Sequence, residues 1–415
     1  MSGNLRSFRV TGPPAYQPDV LRFLEAEGFE FEREPFSERC YRLLVEPRPL
    51  GSSLAAFFGY IYIQDRSSML PPLALMPEKG GAILDMCASP GSKTGFLADL
   101  AGPEGFVLAN EPNPARLATL RANMRLLDLP NVATCQYAGA ELPLPPETWP
   151  SILLDPPCSG WGTEEKNPRV RNLWQGKKID QLTAIQRNLL KKAARLLAPG
   201  GKLLYSTCTT NPAENERQVE YAMRDLGLAL VPLDPFPGFV FQRPELDGTL
   251  LVDGANSSAQ GFFLALLHKL HIASDKKNTP NAEMSRTQKD MKNQCVAAAC
   301  DLSRLPSGTV GIFSEKARFL HRLAASLPPD FNWQGFLLGN FSRNGVFQPI
   351  ASLKSLLPPQ PSICLNSIGE LRLLLAGSSI SCDKQQSAAG LFWENLPLGR
   401  VRIRDGRVIS AFGKI

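Results

Sequence analysis

The feature that most constrains this chain is the alternation of short, buried-type strands with helices from residue 82 to residue 270. The strands read AILDM (82–86), FVLAN (106–110), NVATCQY (131–137), SILLD (151–155) and KLLYST (202–207), with GFFLALLH (261–268) as a late strand. A helix follows the first strand to about Leu100, and another carries Leu117, Leu120, Met124 and Leu127 on one side. A long helix over 179–197 sets Leu182, Ile185, Leu189, Ala193 and Leu196 on one face, and PGG marks its stop. A further helix covers 213–227. Strands joined by crossover helices imply an α/β fold, a parallel doubly wound sheet with ligands outside the strands' carboxyl ends.

The 415 residues are too many for one ordinary core. Residues 1–75 read as a small α/β extension, 76–270 as the doubly wound domain, and 271–300 as a polar, lysine-rich linker. Residues 301–415 read as a small α+β or mostly β module, ending in a hairpin signalled by DG between VRIR and RVIS. The longest apolar runs are far too short to span a bilayer, and the N-terminus has no apolar signal region. No CxxC pair occurs among the nine cysteines, so neither a metal site nor a disulfide framework is expected, and reduced thiols fit a cytoplasmic protein. The net charge of +6 is uneven: nine Lys/Arg and one acid lie between Lys166 and Arg195, and Arg400, Arg402, Arg404 and Arg407 face only Asp405. Such stripes suit phosphate contacts.

The first strand-to-helix turn runs from Asp85 through Cys87, Ala88, Ser89, Pro90, Gly91, Ser92 and Lys93 to Thr94. It sets backbone N–H groups and a helix N-terminus against a ligand, and Gly91 permits close approach. One glycine before SKT is too few for a nucleotide-phosphate loop. A ligand with ribose, adenine and a cationic sulfur fits better, and Glu111 at the second strand's end can accept from ribose hydroxyls. Strand four ends Asp155-Pro156-Pro157-Cys158, and strand five ends Ser206-Thr207-Cys208, so adjacent tips should bring two thiols together. Amine methyltransferases place an aromatic residue where Cys158 stands. Carbon 5 of cytosine is a poor nucleophile and needs a thiolate added at C6, an acid at N3 and a second basic group for release. Cys208, Asp155 and Cys158 supply these. The helix expected from about Ala213 should lower the Cys208 thiol pKa.

These residues resemble the Nop/Sun family of RNA 5-methylcytosine methyltransferases, and within it the bacterial RsmF-like ribosomal branch. The resemblance runs from about Phe57 to His268 and rests on IQDRSSMLPPLAL, LDMCASPGSKT, LANEPNPARLATLRANM, LLDPPCSGWGT and LLYSTCTTNPAENE. It implies a class I, Rossmann-like methyltransferase fold with S-adenosyl-L-methionine held by Cys87 to Lys93, Glu111 and Asp155. It also implies Cys208 as nucleophile, Cys158 as release group and Asp155 as the acid that contacts the base. RNA, from ribosomal RNA or the small ribosomal subunit, would be the partner of a monomer without membrane contact. The ends of the chain would be an N-terminal RNA-binding extension and a C-terminal, PUA-like RNA-binding module. Two positions depart from the family: Ala138 stands where an acid usually contacts the adenine amine, and Ser92 replaces a glycine. A DNA cytosine methyltransferase would need an ENV triplet, which this chain lacks. A transfer-RNA target, or a non-catalytic assembly factor, are the other readings.

Overall fold

The computed structural model describes residues 6–164, 167–270, 300–357, 363–383 and 386–412. Near the N-terminus β1 (Ser7–Val10), β2 (Glu30–Arg33), β3 (Cys40–Val45) and β4 (Ile61–Ile63) form an antiparallel sheet in the order β2-β3-β1-β4. Helices α1 (Gln17–Glu25) and α2 (Leu54–Phe57) pack on it through Phe23, Leu24 and Leu54. After α3 (Leu70–Leu75) the alternating region begins with β5 (Ala82–Asp85), α4 (Ser92–Ala101), β6 (Phe106–Asn110), α5 (Pro114–Leu126) and β7 (Val132–Cys135). It continues with β8 (Trp149–Leu154), α6 (Val170–Leu173), α7 (Lys177–Leu196), β9 (Leu197–Thr207) and α8 (Glu216–Leu226). Next come β10 (Leu228–Val231), β11 (Phe241–Gln242), β12 (Leu250–Val252), α9 (Gly254–Ser257) and β13 (Phe262–Lys269).

The expected parallel strands are there, in the order β9-β8-β5-β6-β7. Ile83 and Leu84, adjacent on β5, are both fully buried, as a strand covered on both faces requires. The sheet is not wholly parallel. β13 runs antiparallel to β9, and β10 and β12 run antiparallel to β13. After α8 the chain has only short connections, which join antiparallel neighbours but cannot make a parallel crossover. On α7 the inward face carries Leu182, Gln186, Leu189, Ala193 and Leu196, while Ile185 is 46% exposed. The expected place of Ile185 in the core is thus taken by a glutamine.

The C-terminal region contributes β14 (Gly308–Phe313), β15 (Lys316–His321), β16 (Trp333–Gln334), β17 (Phe336–Phe341) and β18 (Phe347–Pro349). It continues through β19 (Ile363–Leu365), α10 (Ile368–Leu375), β20 (Ile380–Ser381), β21 (Ala388–Trp393), β22 (Leu396–Arg404) and β23 (Arg407–Ile409). Strands β14-β15-β17-β18 form one sheet with its own core around Phe319, Leu338 and Phe347. Strands β19-β21-β22-β23-β20 form another. The DG hairpin joins β22 to β23, with φ of +51° at Asp405 and +66° at Gly406.

The parts divided at 1–75 and 301–415 pack on one another. The N-terminal sheet and the five-stranded sheet bury one common core, in which Phe23 and Trp393 lie 4.8 Å apart beside Phe8, Leu374 and Leu396. A small sheet with one apolar face needs a partner layer, and each supplies the other's. β16 also pairs with β7, setting Trp333 opposite Cys135 and extending the central sheet. Most of the expected linker, 271–299, lies outside the described residues. No described helix is long and apolar enough to cross a membrane.

Candidate active site

The carboxyl ends of β5, β6 and β7 are tied together by one buried side chain. Asn110 Nδ2 donates to Met86 O (3.1 Å) and Tyr137 O (3.0 Å), and its Oδ1 accepts from Tyr137 N (3.0 Å). The turn after β5 is held from the α5 side: Asn123 donates to Pro90 O at 2.7 Å, and Ser89 and Arg116 exchange bonds at 3.0 Å. Gly91 has φ +107°, and a Cβ there would come within 2.6 Å of Met124 and 2.9 Å of Leu120. That position demands glycine. Asp85 is fully buried; Thr94 donates to its Oδ2 at 2.7 Å, and burial raises its carboxyl to about 6. Its Oδ1 has no hydrogen-bond partner among the described residues. Glu111 is also buried, with Asn113 N donating to Oε1 at 2.9 Å and Arg116 3.4 Å from Oε2. A glycine cradle, an orphaned buried oxygen and a carboxylate at the second strand's tip suit a polar, ribose-bearing ligand.

Lys93 leaves that cradle. Its Nζ lies 2.7 Å from Asp155 Oδ2, and Ser206 Oγ donates to Asp155 Oδ1 at 2.8 Å. Burial opposes the Lys93 charge, but Asp155, with Cys208 and Asp85 adding, raises its pKa overall. Beside this pair, Cys158 Sγ and Cys208 Sγ are 3.3 Å apart on the tips of the adjacent parallel strands β8 and β9. The hydrogen bond from Cys158 lowers the Cys208 thiol; burial and Asp155 oppose this, and the Lys93 ammonium adds to it. Cys158 is driven upward by the same bond and by burial, with Asp155 and Glu214 adding. Ionisation of the pair is thus favoured at Cys208 over Cys158. α8 begins at Glu216, three residues beyond the expected start near Ala213. Cys87 is a different kind of thiol: burial pushes its pKa far up, which disfavours its thiolate.

Residues 72–268 match the family described as 16S rRNA methyltransferase RsmB/F. A methyltransferase homologue from Pyrococcus horikoshii, solved as a crystal structure, is 33% identical with a TM-score of 0.57, covering 64% of this chain and 87% of that one. The chain belongs to this methyltransferase family. The ribosomal RNA small subunit methyltransferase F of Aeromonas salmonicida is 36% identical over 279 residues, which cover 64% of this chain and 58% of that protein. The matched stretch thus spans less than two thirds of that relative's length. The crystal structure of NSun6 from Pyrococcus horikoshii with SFG shares the fold, with a TM-score of 0.58 at 21% identity over 65% of this chain and 91% of that one. The central domain has the Rossmann-like fold of S-adenosylmethionine-dependent methyltransferases.

Within this RsmB/F-type domain the structure brings together Asp155, Cys158, Cys208 and Lys93, and separately the turn 87–92 with Glu111. Ala138 is exposed at the rim after β7 and offers no polar side chain. Its neighbour Tyr137 is pinned by the C-terminal region: Phe331 stacks on it at 5.0 Å, and its hydroxyl accepts from Asn332 N at 2.8 Å. Sequence reasoning missed three buried polar residues: Asn110, Gln186 and Glu214. Glu214 is wholly buried and accepts four hydrogen bonds, from Ser159 N, Ser159 Oγ, Gln186 Nε2 and Asn211 Nδ2, at 2.5–3.0 Å. Its signal in the sequence was faint, an acid within what reads as an amphipathic helix. Gln186 gave no signal, because Ile185 completes the apolar stripe of α7 at the neighbouring position.

Proposed function

We propose that the chain transfers a methyl group from S-adenosyl-L-methionine to carbon 5 of a cytosine in RNA, with Cys208 as nucleophile and Cys158 as release group. The observation that carries this reading is the 3.3 Å contact between two thiols of opposite pKa displacement, beside the Lys93–Asp155 pair. When bound, the cofactor supplies an electrophilic methyl on a sulfonium; the turn 87–92, Asp85 and Glu111 are the residues to hold it. The Cys208 thiolate adds to C6, forming a C–S bond and moving the C5=C6 electron pair toward C5. The Lys93–Asp155 pair would deliver a proton to N3, with the Lys93 ammonium as its source, which neutralises the ring in that electron-rich state. Once the Cys208 charge is consumed in the adduct, the first cause of the raised Cys158 pKa is removed, which favours release of its proton to solvent against the burial, Asp155 and Glu214 that still oppose it. Once the C5 pair has become the bond to the methyl group, the Cys158 thiolate takes the C5 proton, the C5=C6 bond re-forms, and the C6–S pair returns to Cys208.

The relatives named for ribosomal RNA make small-subunit ribosomal RNA the favoured substrate. Exposed Lys177, Lys178, Arg187 and Lys191 on α7, and Arg402, Arg404 and Arg407 near the C-terminus, are the cations offered for phosphate contacts. The test is covalent. With small-subunit RNA and cofactor, Cys208→Ala is expected to form neither product nor adduct. Cys158→Ala is expected to accumulate a protein–RNA adduct that survives denaturing electrophoresis. An adduct that required Cys158 and formed without Cys208 would reverse the roles. Bisulfite mapping of RNA from a strain lacking the protein identifies the target.

A further inference from the structure

We infer that Glu214 is a positioning residue for the release step: it holds Cys158 against Cys208 by fixing the backbone on both sides of Cys158. This rests on the cytosine-5 reading above. Gln186 Nε2 donates to Pro157 O at 2.9 Å and to Glu214 Oε2 at 3.0 Å, and Ser159 N donates to the same oxygen at 2.9 Å. The carbonyl before Cys158 and the amide after it are therefore joined through one buried carboxylate–amide pair. The other carboxylate oxygen accepts from Ser159 Oγ at 2.5 Å and Asn211 Nδ2 at 3.0 Å, which ties the loop after β8 to the loop after β9.

The chemistry of the site calls for a carboxylate. All four partners are donors, and a carboxylate is the side chain that only accepts. An amide in its place would turn an NH2 group toward two of those donors, leaving buried hydrogens facing one another. Cys208, by contrast, is anchored by bonds outside the Glu214 side chain. Gly162 N donates to Cys208 O at 3.0 Å, Asn215 Nδ2 donates to Thr209 O at 3.0 Å, and Thr207 Oγ1 bonds Asn215 Oδ1 at 2.6 Å. Loss of the Glu214 contacts thus frees Cys158 while leaving the nucleophile in place. Addition to the base proceeds and release fails.

The experiment is Glu214→Gln in the full chain, assayed with small-subunit RNA and S-adenosyl-L-methionine beside wild type, Cys208→Ala and Cys158→Ala. The expected result is a kcat lower by about tenfold or more, as for a catalytic group displaced by about 1 Å. Covalent adduct should accumulate as in Cys158→Ala, while KM for RNA stays within about twofold of wild type, since no interaction with bound RNA is removed. A folded variant with wild-type turnover, or one losing turnover and adduct together, overturns the inference. If Glu214→Gln does not fold, Gln186→Leu removes the same tie from the Pro157 side and is judged by the same adduct and turnover outcomes. A wild-type protein whose adduct does not depend on Cys208 sinks the cytosine-5 reading itself, and the role of Glu214 with it.

Discussion

At the scale of single residues, Lys93 shows how much one placement decides. The sequence sets it in the turn that faces the cofactor, yet its ammonium bonds Asp155 and adds to the lowering of the Cys208 pKa. Lys93→Met removes a positive charge that favours the thiolate, so the Cys208 pKa rises. The acid limb of the kcat/KM profile should then move to higher pH, and activity at pH 7 should fall by about tenfold or more. Partial recovery at pH 9 would separate this electrostatic role from loss of cofactor binding, which alkaline pH does not restore. An unshifted limb would assign the thiolate to other causes. The same scale explains what could be read from sequence. Asp155, Cys158 and Cys208 are legible because strand tips have fixed places at a sheet edge. Glu214 and Gln186 are not, because their importance comes from bonding each other across 28 positions of chain.

At the scale of elements, the site depends on loops that nearly touch. Gly162 donates its N–H to Cys208 O, and its own carbonyl accepts from Gly261 N at 2.9 Å. A Cβ at residue 162 would fall 2.1 Å from Gly261 O and 2.9 Å from Cys208 O, against backbone that cannot swing aside. Gly162→Ala should destabilise the fold by about 1–3 kcal/mol, the usual range for overpacking, and lower turnover beyond the change in folded fraction. Thermal melts and single-turnover rates measure both, and an unchanged melting temperature would count against so tight a crossing. The parallel strands were foreseeable because each has an apolar run followed by a turn or helix signal. Of the antiparallel additions β13 was read as a strand, but β11 and β16 were not: they are two residues each, too short for any periodicity to register. Ile185 and Gln186 changed places because a helical stripe tolerates either the i+3 or the i+4 position, and only the neighbouring loop selects the glutamine.

At the scale of the whole molecule, the C-terminal region is built onto the methyltransferase sheet, and His321 lies at that junction. It closes β15, is buried, and stacks on Phe106 of β6 with centroids 5.6 Å apart and planes 14° from parallel. Burial lowers its pKa to about 4 from the ordinary 6.5, with Glu104 opposing and Arg322 assisting. A depressed pKa in the folded state means that the unfolded chain takes up the proton first. The stability is fully present above pH 6.5, is lost as the pH falls toward 4, and is on the order of 3 kcal/mol. Asp85 acts in the opposite sense: its carboxyl, raised to about 6, is relieved by protonation, so acid favours the folded state there. The raw pH dependence mixes the two, and a variant isolates the histidine. His321→Phe keeps an aromatic ring for Phe106 and cannot be protonated. Its melting temperature should fall less than that of wild type between pH 7 and pH 4.5, with the difference growing as the pH drops. Parallel curves for the two proteins would show that the junction carries no buried neutral histidine, and would leave carboxylates elsewhere as the source of acid sensitivity.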